Sequence, residues 1–245
     1  MTRVFIFDVD GTLTPSRRPM TEDFLEFFNG WTKSNPFYLV SGSDLDKIKE
    51  QVPDFILERA EGVFTCGGNK FYINNKLEYE KVFHPPNNLL TYLGQQVRES
   101  DTPVKSTNHR EDRGSMLNFS VVGRDCTLEE RQQYFEWDNG VGERKRIAKE
   151  IKDGWPELDA VIGGQISIDI APVGNDKSQV IKRVKNNNIN CEYIFVGDRT
   201  MKGGNDYPLA KVMKQMDDCK VYQAGKPSAE DGYKETQKIL ESLID

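Results

Sequence analysis

Only two histidines occur in the 245 residues: His84 before Pro85-Pro86, and His109 inside His109-Arg110-Glu111-Asp112-Arg113. That scarcity excludes a histidine-rich metal centre. It also leaves a Ser-His-Asp triad almost without candidates, because neither histidine lies near a nucleophile elbow. Cysteine is scarce as well. Cys66, Cys126, Cys191 and Cys219 are far apart and form no C-x-x-C pair, so neither a zinc site nor a disulfide framework is expected. Positive charge is not in excess: 33 Lys and Arg stand against 39 Asp and Glu, a formal charge of −6. No general affinity for nucleic acid is expected from that balance. Long apolar runs are missing too. The longest are strand-sized, such as Val4 to Phe7, far short of the ~18–20 residues of a membrane span. That first run meets Asp8 at once, so no secretory leader is expected and a cytoplasmic location is the default. What is present is a core: 37% hydrophobic and 10% aromatic residues, too much for a disordered chain.

The pattern along the chain changes style twice. Arg3–Asp8, Phe37–Val40 and Gly62–Cys66 read as short buried strands. Thr21–Trp31, with Thr21 as N-cap, and Asp44–Gln51 read as helices between them. Strand, turn, helix repeated in this way predicts a parallel sheet with crossover helices. Phe71–Ile73 and Lys76–Val82 then bracket Asn74-Asn75 and predict a hairpin. In the middle region, strands are expected at Val104–Thr107, Met116–Val122, Asp159–Ile162 and Gln165–Ile170, the last two turning at Gly163-Gly164. Helices are expected near Asn88–Arg98, Thr127–Trp137 and Glu143–Asp153. This reads as an antiparallel sheet with helices on one face, and Arg144-Lys145-Arg146 as a solvated basic run. From Asp176 the parallel style returns, with a helix to Val184, a strand at Tyr193–Val196, a loop at Gly197–Asp206, a short strand and a last helix. The expected class is α/β: residues 1–82 with 172–245 form one domain, and residues 83–171 form an α+β domain inserted in it.

The sharpest chemical signal is Asp8-Val9-Asp10-Gly11-Thr12 at the end of the first strand. Residues two apart in a strand face the same way, and the strand ends of a parallel sheet form its ligand-binding edge. Gly11 allows a sharp turn and Thr12 adds a hydroxyl. Neighbouring carboxylates favour a hard cation such as Mg²⁺. With that cation, one carboxylate can attack a phosphoryl group and the other can carry a proton. Further residues fit the same edge. Ser41 and Ser43 follow the second strand and could bind phosphoryl oxygens. Lys177, in Gly174-Asn175-Asp176-Lys177, is expected to open a helix and supply a point charge. Asp198 ends the strand before Gly203-Gly204-Asn205-Asp206, and both acids add oxygen ligands.

D-x-D-G-T, a strand-end Ser, a Lys and a late G-D…N-D, in this order, resemble the haloacid dehalogenase-like phosphotransferases. The middle narrows the resemblance. Arg113-Gly114-Ser115-Met116-Leu117-Asn118-Phe119-Ser120-Val121-Val122-Gly123-Arg124-Asp125-Cys126, followed by Glu129-Glu130-Arg131, is similar to the R-x-G-M-L-N-x-S-P-I-G-R-x-C and E-E-R of eukaryotic-type phosphomannomutases. Gly163-Gly164-Gln165-Ile166-Ser167-Ile168-Asp169 is similar to their G-G-x-I-S-F-D, and Thr12-Leu13-Thr14…Arg17 also matches.

The resemblance implies a Rossmann-like core carrying a cap domain. It implies that Asp8 is the nucleophile and Asp10 the general acid/base. Mg²⁺ would be held by Asp8, the Asp10 carbonyl and Asp198, with Asp206 in support. Thr12, Ser41, Ser43 and Lys177 would bind the reacting phosphate. Arg113, Arg124 and Arg131 would grip the other phosphate, since guanidinium offers a rigid fork of donors to a dianion. Asn118, Ser167 and Asp169 would contact sugar hydroxyls, and Arg17 would organise the approach to the site. A sugar bisphosphate activator and a homodimer formed through the cap are also implied. The substrate is then a hexose phosphate, with mannose and glucose both open at C2. A sugar-phosphate phosphatase on the same scaffold is the alternative, differing in whether water reaches the phosphorylated aspartate.

Overall fold

In a computed structural model, residues 2–226 and 230–243 are described. The extreme ends of the expected first domain and residues 227–229 lie outside them. In chain order come β1 (Arg3–Phe7), α1 (Glu22–Trp31), β2 (Phe37–Val40), α2 (Leu45–Lys49), α3 (Asp54–Leu57), β3 (Gly62–Thr65), β4 (Lys70–Ile73) and β5 (Lys76–Glu80). Next are α4 (Asn87–Glu99), β6 (Arg110–Asp112), β7 (Leu117–Phe119), α5 (Leu128–Val141), α6 (Glu143–Gly154), β8 (Leu158–Gly163) and β9 (Ser167–Pro172). The chain closes with α7 (Gln179–Asn187), β10 (Glu192–Gly197), α8 (Tyr207–Met213), β11 (Cys219–Gln223) and α9 (Gly232–Ser242). Two compact units result: Met1–Glu80 with Asn175–Asp245, and Lys81–Gly174.

The first unit is built on a seven-stranded sheet, ordered β11-β10-β1-β2-β3-β4-β5. The strands from β11 to β3 pair in parallel, and β4 and β5 add an antiparallel hairpin. Strand alternation makes β1 serve two cores. Phe5 and Phe7 pack with Phe24, Phe28 and Trp31 of α1 and Leu240 of α9. Val4 and Ile6 pack with Val180, Ile181 and Val184 of α7 and Leu209 and Met213 of α8. With apolar residues on both faces, β1 has to be central, as the unbroken run Val4–Phe7 suggests. Thr21 stands at the N-cap of α1, but its side chain makes no cap bond. The expected hairpin turns at Asn74 and Asn75, whose φ of 48° and 62° give the left-handed two-residue turn that matches strand twist.

The inserted unit has a four-stranded antiparallel sheet, β6-β7-β9-β8. Leu117, Phe119, Ile168, Ile170, Leu158 and Ala160 share a core with Leu89 and Leu93 of α4, Tyr134 of α5, and Ile147 and Ile151 of α6. The alternate residues Glu111, Asn118 and Asp169 are register partners on the opposite face. Thr127 and Glu130 form a reciprocal capping box that starts α5.

Several sequence expectations change here. Val104–Thr107 is not a strand. Its backbone is taken up by the 122–125 turn: the Ser106 N–H donates to the Val122 carbonyl at 2.7 Å, and the Arg124 N–H to that of Thr107 at 2.9 Å. The edge strand is instead the charged triplet Arg110–Asp112, whose residue types carry no strand signal. Gly163 is the last residue of β8, paired with Ser167, so the turn is Gly164–Ile166. A Cβ at Gly163 would lie 2.6 Å from Asp169 Oδ2, which explains the glycine. Lys177 precedes α7 rather than opening it, in a turn where Asp176 Oδ1 accepts the Ser178 N–H at 2.7 Å. Arg144 is buried against Asp138 at 2.7 Å and is no part of a solvated face. Helices α3 and α8 had no counterpart in the sequence reading.

Candidate active site

The ends of β1, β2 and β10 bring most of the first unit's expected residues together. Asp8 follows β1, and its N–H donates to the Val196 carbonyl of β10 at 3.0 Å. Lys177 Nζ donates to Asp8 Oδ1 and to Asp206 Oδ1, both at 2.6 Å. Asp206 Oδ2 accepts the Arg199 N–H at 3.0 Å. Thr12 Oγ1 stands 3.4 Å from Asp8 Oδ2. The Ser41 hydroxyl accepts the Ser43 N–H at 3.0 Å, which shapes the loop after β2. Asp10 is only half-buried, and its Oδ1 accepts the N–H of Arg17 at 2.8 Å. Arg17 itself is exposed, with a left-handed φ of 59°.

Charge is concentrated here. Carboxylate oxygens of Asp8, Asp198 and Asp206, all buried, lie within 4.8 Å of one another. Burial raises the Asp8 carboxyl well above the usual carboxylate range, and Asp206 and Asp198 add to that rise against the lowering by Lys177. Burial works against the Lys177 cation, but Asp206 and Asp8 together outweigh it and raise its pKa. These buried carboxylates bring hard oxygen donors to one point. That donor set fits a divalent cation such as Mg²⁺. Gly11 fits the same crowding: its φ is +78°, and a Cβ there would lie 2.7 Å from Asp198 Oδ2.

Sequence reasoning missed the residues that hold these loops. Gln223 on β11 donates from Nε2 to the Asp198 carbonyl and accepts the Thr200 N–H at 3.2 Å. Thr236 of α9 donates to the Thr12 carbonyl at 2.7 Å. Asn69 donates to the carbonyls of Cys66 at 2.7 Å and Asn175 at 2.9 Å, tying the loop after β3 to the turn that carries Lys177. These are ordinary side chains on separate elements, and nothing in their spacing marks them.

The inserted unit gathers a second set, with Glu111, Asn118 and Asp169 in register on the sheet face opposite its core. Asn118 Nδ2 donates to Asp169 Oδ1 at 2.5 Å, and Arg124 Nη1 donates to Asn118 Oδ1. Arg113 Nη2 and Arg124 Nη2 both reach Glu111 Oε2, at 2.7 and 2.8 Å. Glu111 was not singled out in the sequence. Arg131 is buried on α5, and Ser167 is buried with its Oγ lacking a hydrogen-bond partner.

Comparison with known proteins decides the family. The sequence model described as eukaryotic phosphomannomutase matches residues 24–242. The chain belongs to the eukaryotic phosphomannomutase family. It is an enzyme of the phosphomannomutase type. A phosphomannomutase of Encephalitozoon cuniculi is 39% identical over 218 residues, covering 84% of this chain and 83% of that protein. One of Drosophila melanogaster is 33% identical over 256 residues, covering 99% and 95%. The fold of this phosphomannomutase-family chain is shared with a haloacid dehalogenase-like hydrolase from Bacteroides thetaiotaomicron, at a TM-score of 0.58 and 15% identity, covering 100% of both chains.

Proposed function

We propose that this enzyme interconverts mannose 1-phosphate and mannose 6-phosphate through a phosphorylated Asp8. The observation that carries the reading is the buried Asp8, in contact with Lys177 and beside Asp198 and Asp206, in a member of this family. An Asp8 carboxylate oxygen attacks one phosphorus of a hexose bisphosphate, the bond between that phosphorus and the sugar oxygen breaks, and Asp10 gives that oxygen its proton, leaving a hexose monophosphate. In the other half of the cycle a hexose monophosphate is the acceptor. Its hydroxyl at the end away from its phosphate gives its proton to Asp10 and attacks the aspartyl phosphate, freeing Asp8 and forming the bisphosphate, which turns so that its other phosphate meets Asp8. A hexose bisphosphate is therefore both the intermediate and, added as an activator, the donor that first phosphorylates Asp8. Lys177 and the backbone around Thr12, Ser41 and Ser43 would orient the phosphoryl oxygens. Mg²⁺ held by Asp8, the Asp10 carbonyl and Asp198, with Asp206 in support, would shield the attacking carboxylate from the phosphate's charge. Arg113, Arg124 and Arg131 would hold the phosphate that is not reacting, and Asn118, Ser167 and Asp169 the sugar hydroxyls. The inserted unit would act as a cap and pair two copies as a homodimer in the cytoplasm. Among the described residues no helix is long and apolar enough to cross a membrane.

The test is ³¹P NMR of the protein with Mg²⁺, mannose 1-phosphate and a trace of glucose 1,6-bisphosphate. A growing 6-phosphate signal at constant total ester is expected, and Asp8→Asn should abolish it. Growth of inorganic phosphate instead would overturn the mutase reading in favour of a sugar-phosphate phosphatase.

A further inference from the structure

Within the inserted unit, one carboxylate oxygen collects two of the three arginines assigned to the non-reacting phosphate. Glu111 Oε2 accepts from Arg113 Nε at 3.2 Å, Arg113 Nη2 at 2.7 Å and Arg124 Nη2 at 2.8 Å. These are the donor edges a phosphate oxygen would take from a guanidinium fork. Glu111 lies on β6, opposite Asn118 in register, and so stands on the sheet face that carries Asn118 and Asp169. The triplet Arg110-Glu111-Asp112 has little intrinsic reason to be a strand. Its place at the sheet edge presents Glu111 to the arginines.

We propose that Glu111 is an internal counter-anion of the phosphate grip. With no substrate bound, it holds Arg113 and Arg124 at one point. With substrate bound, its charge opposes the phosphate and keeps the grip weak enough for a bisphosphate to let go and turn. This rests on the reading of Arg113 and Arg124 as phosphate ligands, and it adds a residue that sets how tightly they bind.

Two effects of removing the charge oppose each other. Loss of Glu111 loosens the arginines, and it also removes the repulsion. The arginine side chains are only 5% and 12% exposed, and Arg124 keeps its bond to Asn118. Packing therefore retains much of their placement. The repulsion acts between a carboxylate and a dianion sharing the same donors, at a partly buried site where solvent screens it weakly. The repulsive effect is the larger, so neutralising Glu111 should tighten binding.

The experiment is isothermal titration of Asp8→Asn protein, which cannot turn over, with mannose 1-phosphate and with inorganic phosphate. Adding Glu111→Gln should tighten both by about 10-fold, and Glu111→Asp should stay near the parent. With Asp8 restored, E111Q should lower KM and kcat together, because tighter uniform binding slows release without aiding the chemical step. Unchanged or weaker binding by folded E111Q protein would overturn the proposal, with folding checked by a single cooperative thermal transition well above the titration temperature. Arg124→Ala separates the two readings. If it leaves phosphate binding intact, the grip itself is wrong and Glu111 has nothing to oppose. If it abolishes binding while E111Q fails to tighten it, only the role of Glu111 is lost.

Discussion

Lys177 shows how one residue can hold a site together and still be hard to read. Its sequence context, Gly174-Asn175-Asp176-Lys177, marked it as a candidate phosphate ligand. Spacing could not show that its side chain is 2% exposed and its ammonium bonded to two carboxylates at 2.6 Å. A buried ion pair broken on one side leaves the other side uncompensated, at a cost of about 3–5 kcal/mol. Lys177→Met should therefore destabilise the metal-free protein by roughly that amount, measured by urea denaturation with EDTA. Saturating Mg²⁺ should restore more stability to the variant than it adds to the parent, because the cation then offsets charge that the lysine no longer balances. Equal Mg²⁺ increments in both proteins would refute this account of the residue. The D-x-D-G-T signal was legible because it is local: one strand end, one glycine and adjacent acids. Glu111 was not, because its meaning depends on Arg124, which reaches it only after the chain has folded back through β7.

At the scale of elements, legibility followed burial. The runs Val4–Phe7, Phe37–Val40 and Tyr193–Val196 bury every residue, and each is a strand where apolar patterning put one. Patterning failed at Val104–Thr107, where side chain and backbone satisfy a turn, and at Arg110–Asp112, which becomes a strand by pairing with Leu117–Phe119. It failed again at α8. There Tyr207-Pro208 begins a helix whose Leu209, Ala210 and Met213 are buried, but the helix was hidden at the end of a glycine-rich loop. Helix α9 shows an element acting on the site from a distance in sequence. A Cβ on Gly232 would lie 1.9 Å from the Gly11 carbonyl, and Thr236 donates to the Thr12 carbonyl at 2.7 Å. The C-terminal helix therefore fixes the turn that carries Asp10. Thr236→Val keeps the shape and removes the hydroxyl, leaving a buried carbonyl short of a donor. It should cost about 1–2 kcal/mol in denaturant unfolding and lower kcat several-fold at unchanged KM. A fall in stability with kcat intact would mean that the helix supports the fold but not the turn.

Across the whole molecule, the chain builds five of the seven strands of one sheet, makes a separate unit, and returns to add the last two. The return was visible in sequence as the change from alternating strands and helices to paired strands and back. It has a physical consequence for ligands. Every buried carboxylate of the proposed cation site belongs to the first unit: Asp8 comes from before the insertion, and Asp198 and Asp206 from after it. A cation bound there cross-links two chain segments nearly two hundred residues apart in sequence. It stabilises only the state in which they meet, by about 2.7 kcal/mol when its concentration is 100 times the dissociation constant. The inserted unit has its own core around Phe119, Tyr134 and Ile168 and none of these ligands. Hydrogen exchange should therefore show Mg²⁺ slowing amides of residues 8–14 and 197–206 together, along with the strands β1 and β10 that carry them. Amides of β7 and β9 should keep their rates. Asp198→Asn should remove the whole effect while leaving metal-free exchange close to that of the parent. Slowing in β7 and β9 alone would place the cation in the inserted unit. Slowing of residues 8–14 without 197–206 would mean that Asp8 binds it without Asp198, and either pattern would refute the shared site.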